Sequence, residues 1–219
     1  MTIVVIGATG NTGRAVVKEL RALGQNPVCV VRNAEKAREV LGADAKTAVA
    51  ELTERPALEK ALAGVQSVFV VTGHNVSMVE QQNNILDAAL KAGTEYLVRV
   101  SGARAVAKAD SASVVGRSHA AINERLKASN IKWVILSPSM FMQNMLGQAA
   151  SIKTDSKIVL PFADDLPVAR MGAGDYRLGA MGALPPAKRT SDGRDLRLVA
   201  VVANAHRHAA AEIDPVNRL

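Results

Sequence analysis

The chain has 219 residues, 48% of them hydrophobic but only 3% aromatic, and 27 Lys and Arg against 20 Asp and Glu give it a net charge of +7. That length suits one large α/β domain or a domain with a small appendage, with a core built from Val, Leu, Ile and Ala. No apolar run reaches the length of a membrane span, and the basic residues are interleaved with acidic ones instead of forming a run among stacking aromatics, so neither membrane insertion nor nucleic-acid binding is expected.

The first predicted strand is Thr2–Ile6, a β-branched run of the kind buried in parallel sheets. It begins at the N-terminus, so no signal peptide is expected ahead of it. It runs into Gly7-Ala8-Thr9-Gly10-Asn11-Thr12-Gly13 and then a helical pattern over Thr12–Leu23, stopped by Gly24. Glycines let a backbone turn sharply and approach a ligand closely, and a helix start offers free N–H groups and a positive dipole end. With a second strand closing a βαβ unit of about 30 residues, the spacing points to a dinucleotide pyrophosphate over this turn. Gly7, Thr9, Gly10, Asn11, Thr12 and Gly13 are the candidate contacts, and a glycine-rich turn without a ligand is the alternative.

The second strand, Val28–Val31, holds the single cysteine, Cys29, which reads as packing and leaves no internal disulfide. A reduced, cytoplasmic protein is expected. Arg32 follows directly, where an acidic residue would bond a free ribose 2′-hydroxyl and an Arg would pair with a 2′-phosphate. With no Asp or Glu at this strand end, NADP(H) is favoured over NAD(H); a solvated surface arginine is the alternative. A short helix ends at Gly42, strand 3 spans Lys46–Ala50, and Glu51 and Leu52 fall near the adenine position. A helix over Glu54–Leu62 leads to strand 4, Ser67–Val71, which ends in Thr72-Gly73-His74. That is a polar carboxyl end of a central strand, where doubly wound sheets bind ligands. The helix Met78–Ala92 leads to strand 5, Tyr96–Val100, which ends in Ser101, a further candidate in the crevice.

After a loop of small and charged residues, a helix over Val114–Ala128 carries His119 and Asn123, and strand 6 is Lys132–Leu136. The Met-rich turn beyond it contains Phe141 and Met142, candidates for walling a substrate pocket or for filling core. Repeated βα alternation predicts an α/β fold with a doubly wound parallel sheet, and a small irregular C-terminal segment after it. The division expected is residues 1–150 for the cofactor domain and 151–219 for a short substrate-side segment. Within the latter, Lys157–Leu160 and Leu196–Ala203 read as strands, and Asp175–Leu184 and His206–Ile213 as short helices.

The glycine turn, Val31-Arg32-Asn33, Gln82-Asn83-Asn84-Ile85-Leu86-Asp87-Ala88-Ala89, Gly116-Arg117-Ser118-His119 and Ser137-Pro138-Ser139-Met140-Phe141-Met142-Gln143-Asn144 together resemble the NmrA-like branch of the atypical short-chain dehydrogenases/reductases. The resemblance covers about residues 2–147. It implies a Rossmann fold and NADP(H) binding, in a family that includes NAD(P)H-dependent quinone and dye reductases and also non-catalytic redox-sensing regulators. The wider superfamily's Tyr-x-x-x-Lys pair is replaced here by His119-x-x-x-Asn123, and beyond about Arg177 the family pattern stops, so the tail reads as truncated or divergent.

Without a Tyr–Lys acid, simple carbonyl reduction lacks its usual proton donor. Quinone-like and conjugated acceptors need it less, because hydride transfer to them leaves a stabilised product. The expected function is an NADPH-dependent oxidoreductase with a small-molecule electron acceptor; the rival is an NADP(H)-sensing regulator without turnover. His119 is the candidate catalytic helper, since an unperturbed imidazole donates a proton near neutral pH, and a structural histidine is the alternative. A homodimer or a regulatory protein partner are the macromolecular candidates. His206 and His208 lack companions at metal-ligand spacing, so no metal is expected.

Overall fold

A computed structural model describes residues 2–138, Thr154 and 210–213, the last four as backbone only. Its sheet is built from β1 (Ile3–Ile6), β2 (Val28–Val31), β3 (Thr47–Val49), β4 (Ser67–Val70), β5 (Tyr96–Val100), β6 (Lys132–Ser137) and β7 (Ala210–Ile213), in the spatial order β3-β2-β1-β4-β5-β6-β7. The first six strands are parallel and have the Rossmann order, in which the direction of winding reverses between β1 and β4.

The helices follow from where apolar residues recur. In α1 (Asn11–Ala22), Gly13, Val16, Val17 and Leu20 form one buried stripe, and α2 (Ala34–Leu41) buries Ala37 and Leu41. These two cover the sheet face that carries Ile3, Val5, Cys29, Val31 and Phe69. On the opposite face α3 (Arg55–Leu62), α4 (Met78–Lys91) and α5 (Val114–Lys127) bring Leu58, Leu62, Ile85, Leu86 and Leu126 against Val4, Ile6, Val30, Val68, Val70 and Ile135. Alternate residues of each short strand thus serve two different cores. Asp87 ties the outer helices together, its carboxylate meeting Arg125 at 2.5 Å and Arg55 at 3.4 Å.

The predicted strands and helices through Ser137 stand in place, with ends shifted by about a residue. One expectation fails. Residues 210–213 are an extended strand pairing antiparallel with β6, Ser137 opposite Ala210 and Val134 opposite Ile213, and are not part of a helix. Alanine favours helix, but intrinsic propensity is a weak determinant that tertiary pairing overrides, and the open edge of β6 offers a row of backbone donors and acceptors to satisfy. The segments expected at 157–160, 175–184 and 196–203 lie outside the described residues. No helix among the described residues is long and apolar enough to cross a membrane.

Candidate functional site

At the carboxyl end of β1 the backbone reverses through Gly7, whose φ is +82°. A Cβ there would stand 1.9 Å from the Val71 carbonyl oxygen, and one on Gly13 would stand 2.1 Å from the Gly7 carbonyl oxygen. Both glycines are therefore demanded by the turn and by the close seating of α1 on β1. Gly10 differs, because a Cβ on it would meet only the Gly7 carbonyl oxygen, at 3.4 Å. The fold itself does not need Gly10 bare.

Gly10 is also the N-cap of α1, where it makes no side-chain cap and no acidic residue stands in the first turn. Its own N–H donates to the Gly7 carbonyl at 3.1 Å and its carbonyl accepts from Arg14 N at 2.9 Å. The N–H groups of Asn11, Thr12 and Gly13 have no partner among the described residues. An uncapped, exposed helix start suits a phosphate, so the residues present fit the pyrophosphate of a dinucleotide. Thr9 is exposed beside them.

β2 runs alongside β1 with Val30 opposite Ile6, which puts Arg32 on the same sheet edge as the glycine turn. Arg32 is exposed and has no ion-pair partner among the described residues, while the next residue, Asn33, is used to cap α2 by accepting from Lys36 N at 2.9 Å. Leu52 is half-buried, and its carbonyl is held by Asn84 Nδ2 at 3.2 Å, whereas Glu51 is exposed.

Under the carboxyl ends of β4 and β5 lies a polar network centred on Arg99, which is 1% exposed. Its Nε donates to Gln82 Oε1 at 2.6 Å, its Nη1 to Asn123 Oδ1, and its Nη2 to His119 Nδ1 at 2.9 Å. Gln82 passes the connection on, donating to Thr72 Oγ1 at 2.7 Å, and Asn123 Nδ2 donates to Ser101 Oγ at 3.1 Å. His119 Nε2 stands 3.2 Å from His74 Nε2, with the two rings nearly perpendicular at 84°. Gly102 makes room for the His119 ring, since a Cβ there would come within 2.8 Å of its Cδ2.

The electrostatics follow from this packing. Arg99 is a buried cation held by neutral oxygen and nitrogen acceptors; burial lowers its pKa to about 9, which leaves it charged at neutral pH. His119 is pushed down to about 4, first by burial and then by the charges of Arg99 and His74. The expectation of a histidine that titrates near neutral pH is thereby corrected: His119 is an uncharged imidazole at pH 7, and it faces a guanidinium that can only donate.

Of the sequence candidates, the structure brings Thr72, His74, Ser101 and His119 into one network beside the switch point between β1 and β4, and sets Gly7–Gly13 and Arg32 along the same edge. Phe141 and Met142 lie outside the described residues. Arg99 and Gln82 were missed as site residues, and the signal for Arg99 was plain: one charge inside the apolar strand Tyr96-Leu97-Val98-Arg99-Val100. Asn123, which stands in the Tyr-x-x-x-Lys spacing, is spent on Arg99 and Ser101.

A family model described as NAD(P)H-binding matches residues 7–160. Among known proteins, the NAD(P)H azoreductase of Xenophilus azovorans is 33% identical over 162 residues, 74% of this chain and 56% of its own length. The (4-alkanoyl-5-oxo-2,5-dihydrofuran-3-yl)methyl phosphate reductase of Streptomyces griseus subsp. griseus is 31% identical over 199 residues, 91% of this chain and 67% of its own. The solved structure of the Citrobacter sp. triphenylmethane reductase complexed with NADP(H) superimposes with a TM-score of 0.62 at 25% identity, covering 70% of this chain and 55% of that one. The chain thus spans between about half and two thirds of the length of these relatives.

Proposed function

From the premise that the chain belongs to the NAD(P)H-binding family, we propose that it is an NADPH-dependent oxidoreductase acting on a quinone-like or conjugated small-molecule acceptor. The observation that carries this reading is the bare, uncapped and exposed start of α1 at Gly10, with three N–H groups that have no partner among the described residues. The azoreductase and triphenylmethane reductase relatives support the choice of acceptor.

Asn11, Thr12 and Gly13 would hold the pyrophosphate through their N–H groups, and Arg32 would pair with a ribose 2′-phosphate, which selects NADPH over NADH. The cofactor supplies a hydride when bound. The chain's own part is to orient and to shield. Thr72, Gly73 and His74 at the end of β4 and Ser101 at the end of β5 line the switch-point edge on which a nicotinamide would lie. Asn123 is engaged twice and His119 is uncharged at neutral pH, so neither serves as a strong acid there. Such a site favours acceptors that become stabilised anions or leuco forms on taking hydride, with the final proton drawn from water.

The test is to mix the purified chain with NADPH and a panel of quinones and azo and triphenylmethane dyes and to follow loss of cofactor absorbance. Oxidation that depends on the acceptor is the expected result. Tight NADPH binding with no oxidation across the panel would reject the enzyme and favour an NADP(H)-sensing regulator.

A further inference from the structure

Hydrogen-bond logic along the buried network fixes protons that no distance alone assigns. A guanidinium has only donors, so His119 Nδ1, 2.9 Å from Arg99 Nη2, must accept. A neutral His119 then carries its proton on Nε2 and aims it at His74 Nε2, 3.2 Å away. That nitrogen must accept in turn, which leaves the proton of a neutral His74 on Nδ1. Three donors therefore point the same way, from a fully buried cation to an exposed imidazole at the carboxyl end of β4. The chain is also wrong for a metal bridging the two Nε2 atoms: a ligating His donates its other N–H to an acceptor, and here that nitrogen faces a cation.

We propose that His74 is the residue that contacts the ligand in this crevice, presenting Nδ1–H to a conjugated carbonyl oxygen, and that Arg99 and His119 are positioning residues that hold it in this tautomer. The proposal rests on the oxidoreductase reading of the site. The buried charge at Arg99 polarises each bond in the chain, so the terminal N–H binds an oxygen that gains negative charge more strongly than an isolated imidazole would. Two sources offer the same chemistry on this edge: the carboxamide of a nicotinamide and the carbonyl of a quinone. The His74 ring makes its one hydrogen bond among the described residues to His119, so its Nδ1 has no partner among them.

Long-range 1H–15N correlation spectra of the uniformly 15N-labelled full chain at pH 7.5 test the assignment. The expected pattern is His119 protonated on Nε2 and His74 protonated on Nδ1. His74 in the Nε2–H form, or averaged between forms, overturns the proposal. In His119→Leu the His74 pattern should revert to the Nε2–H form that free imidazoles prefer, while His119→Gln, which keeps a donor, should retain Nδ1–H. If the leucine variant does not fold, the wild-type and glutamine spectra decide. Addition of NADP+, of 2′-phospho-ADP-ribose lacking nicotinamide, and of benzoquinone with NADP+ then identifies the oxygen. A shift of His74 Nδ1 with NADP+ but not with the ribose analogue assigns the carboxamide, and a shift only with quinone present assigns the acceptor. No shift in any arm rejects the contact. NADPH consumption with the wrong tautomer would sink this inference alone, and the right tautomer without consumption would sink the oxidoreductase reading alone.

Discussion

Arg99 Nη2 donates to His119 Nδ1 across 2.9 Å, and this one bond decides what His119 is able to do. A histidine placed on α5 where a proton donor would be useful is instead kept uncharged by burial and by the cation behind it. It retains one directional N–H, which is a different chemical tool from an acid.

That state has a cost that pH reveals. His119 has a folded pKa of about 4 against an ordinary 6.5, so between these values the unfolded chain binds the extra proton. The folded state therefore has its full stability above about pH 6.5 and loses it as pH falls towards 4, by about 3 kcal/mol in total from this residue at about 1.4 kcal/mol per unit. Urea denaturation at pH 7.5 and 4 should show the wild type losing about that much more than His119→Gln. Equal losses would mean that His119 is not the group responsible.

Removing the guanidinium should be more damaging than its charge suggests. Arg99→Leu strands Gln82 Oε1, Asn123 Oδ1 and His119 Nδ1 in a buried site, at about 1–3 kcal/mol for each acceptor left unpaired. A stability loss of about 3–5 kcal/mol is expected in urea. Arg99→Lys, which keeps the charge and fewer of the bonds, should lose less; the reverse order would show that charge burial and not bonding dominates.

Arg32→Ala should weaken NADPH by about 10–100-fold, the value of a charge-assisted bond to phosphate, and leave NADH nearly unchanged. Titration of each cofactor by intrinsic fluorescence measures both. An equal loss for the two cofactors would remove the 2′-phosphate from Arg32.

Gly13 and Gly10 should separate by phenotype. Gly13→Ala forces a Cβ to within 2.1 Å of a backbone oxygen and should destabilise the fold by about 1–3 kcal/mol or more. In Gly10→Val the Cβ makes only an ordinary contact, 3.4 Å from the Gly7 carbonyl oxygen, so the protein should keep its melting temperature to within a few degrees and lose cofactor binding. Retained binding in a folded Gly10→Val protein would put the pyrophosphate elsewhere.

Cys29 is 1% exposed and its thiol is pushed up to about 11, mainly by burial. A thiol-reactive dye should leave the native chain unlabelled at pH 7.5 and react fully in denaturant. Labelling of the native protein would contradict its placement in the core.

The amino-acid sequence by itself determined the parallel strands, their helices and the glycine turn, because each rests on local physics. β-branched runs form buried strands, and apolar residues at helical spacing form stripes. Glycines sit where the backbone must reverse or come close. The position of the residue after β2 was readable for the same reason, since the strand register sets Arg32 on the same sheet edge as the glycine turn whatever its neighbours are. Local propensity failed at Ala210–Ile213, where the exposed edge of β6 drew an alanine-rich segment into a strand. Only the tertiary structure decided the state of His119 and the use of Arg99, Gln82 and Asn123. Those side chains lie between 17 and 24 positions apart along the chain from Arg99. Packing α4 and α5 on one face of β5 brings them together away from water, and there a single donor-only cation requires the facing nitrogen of His119 to accept.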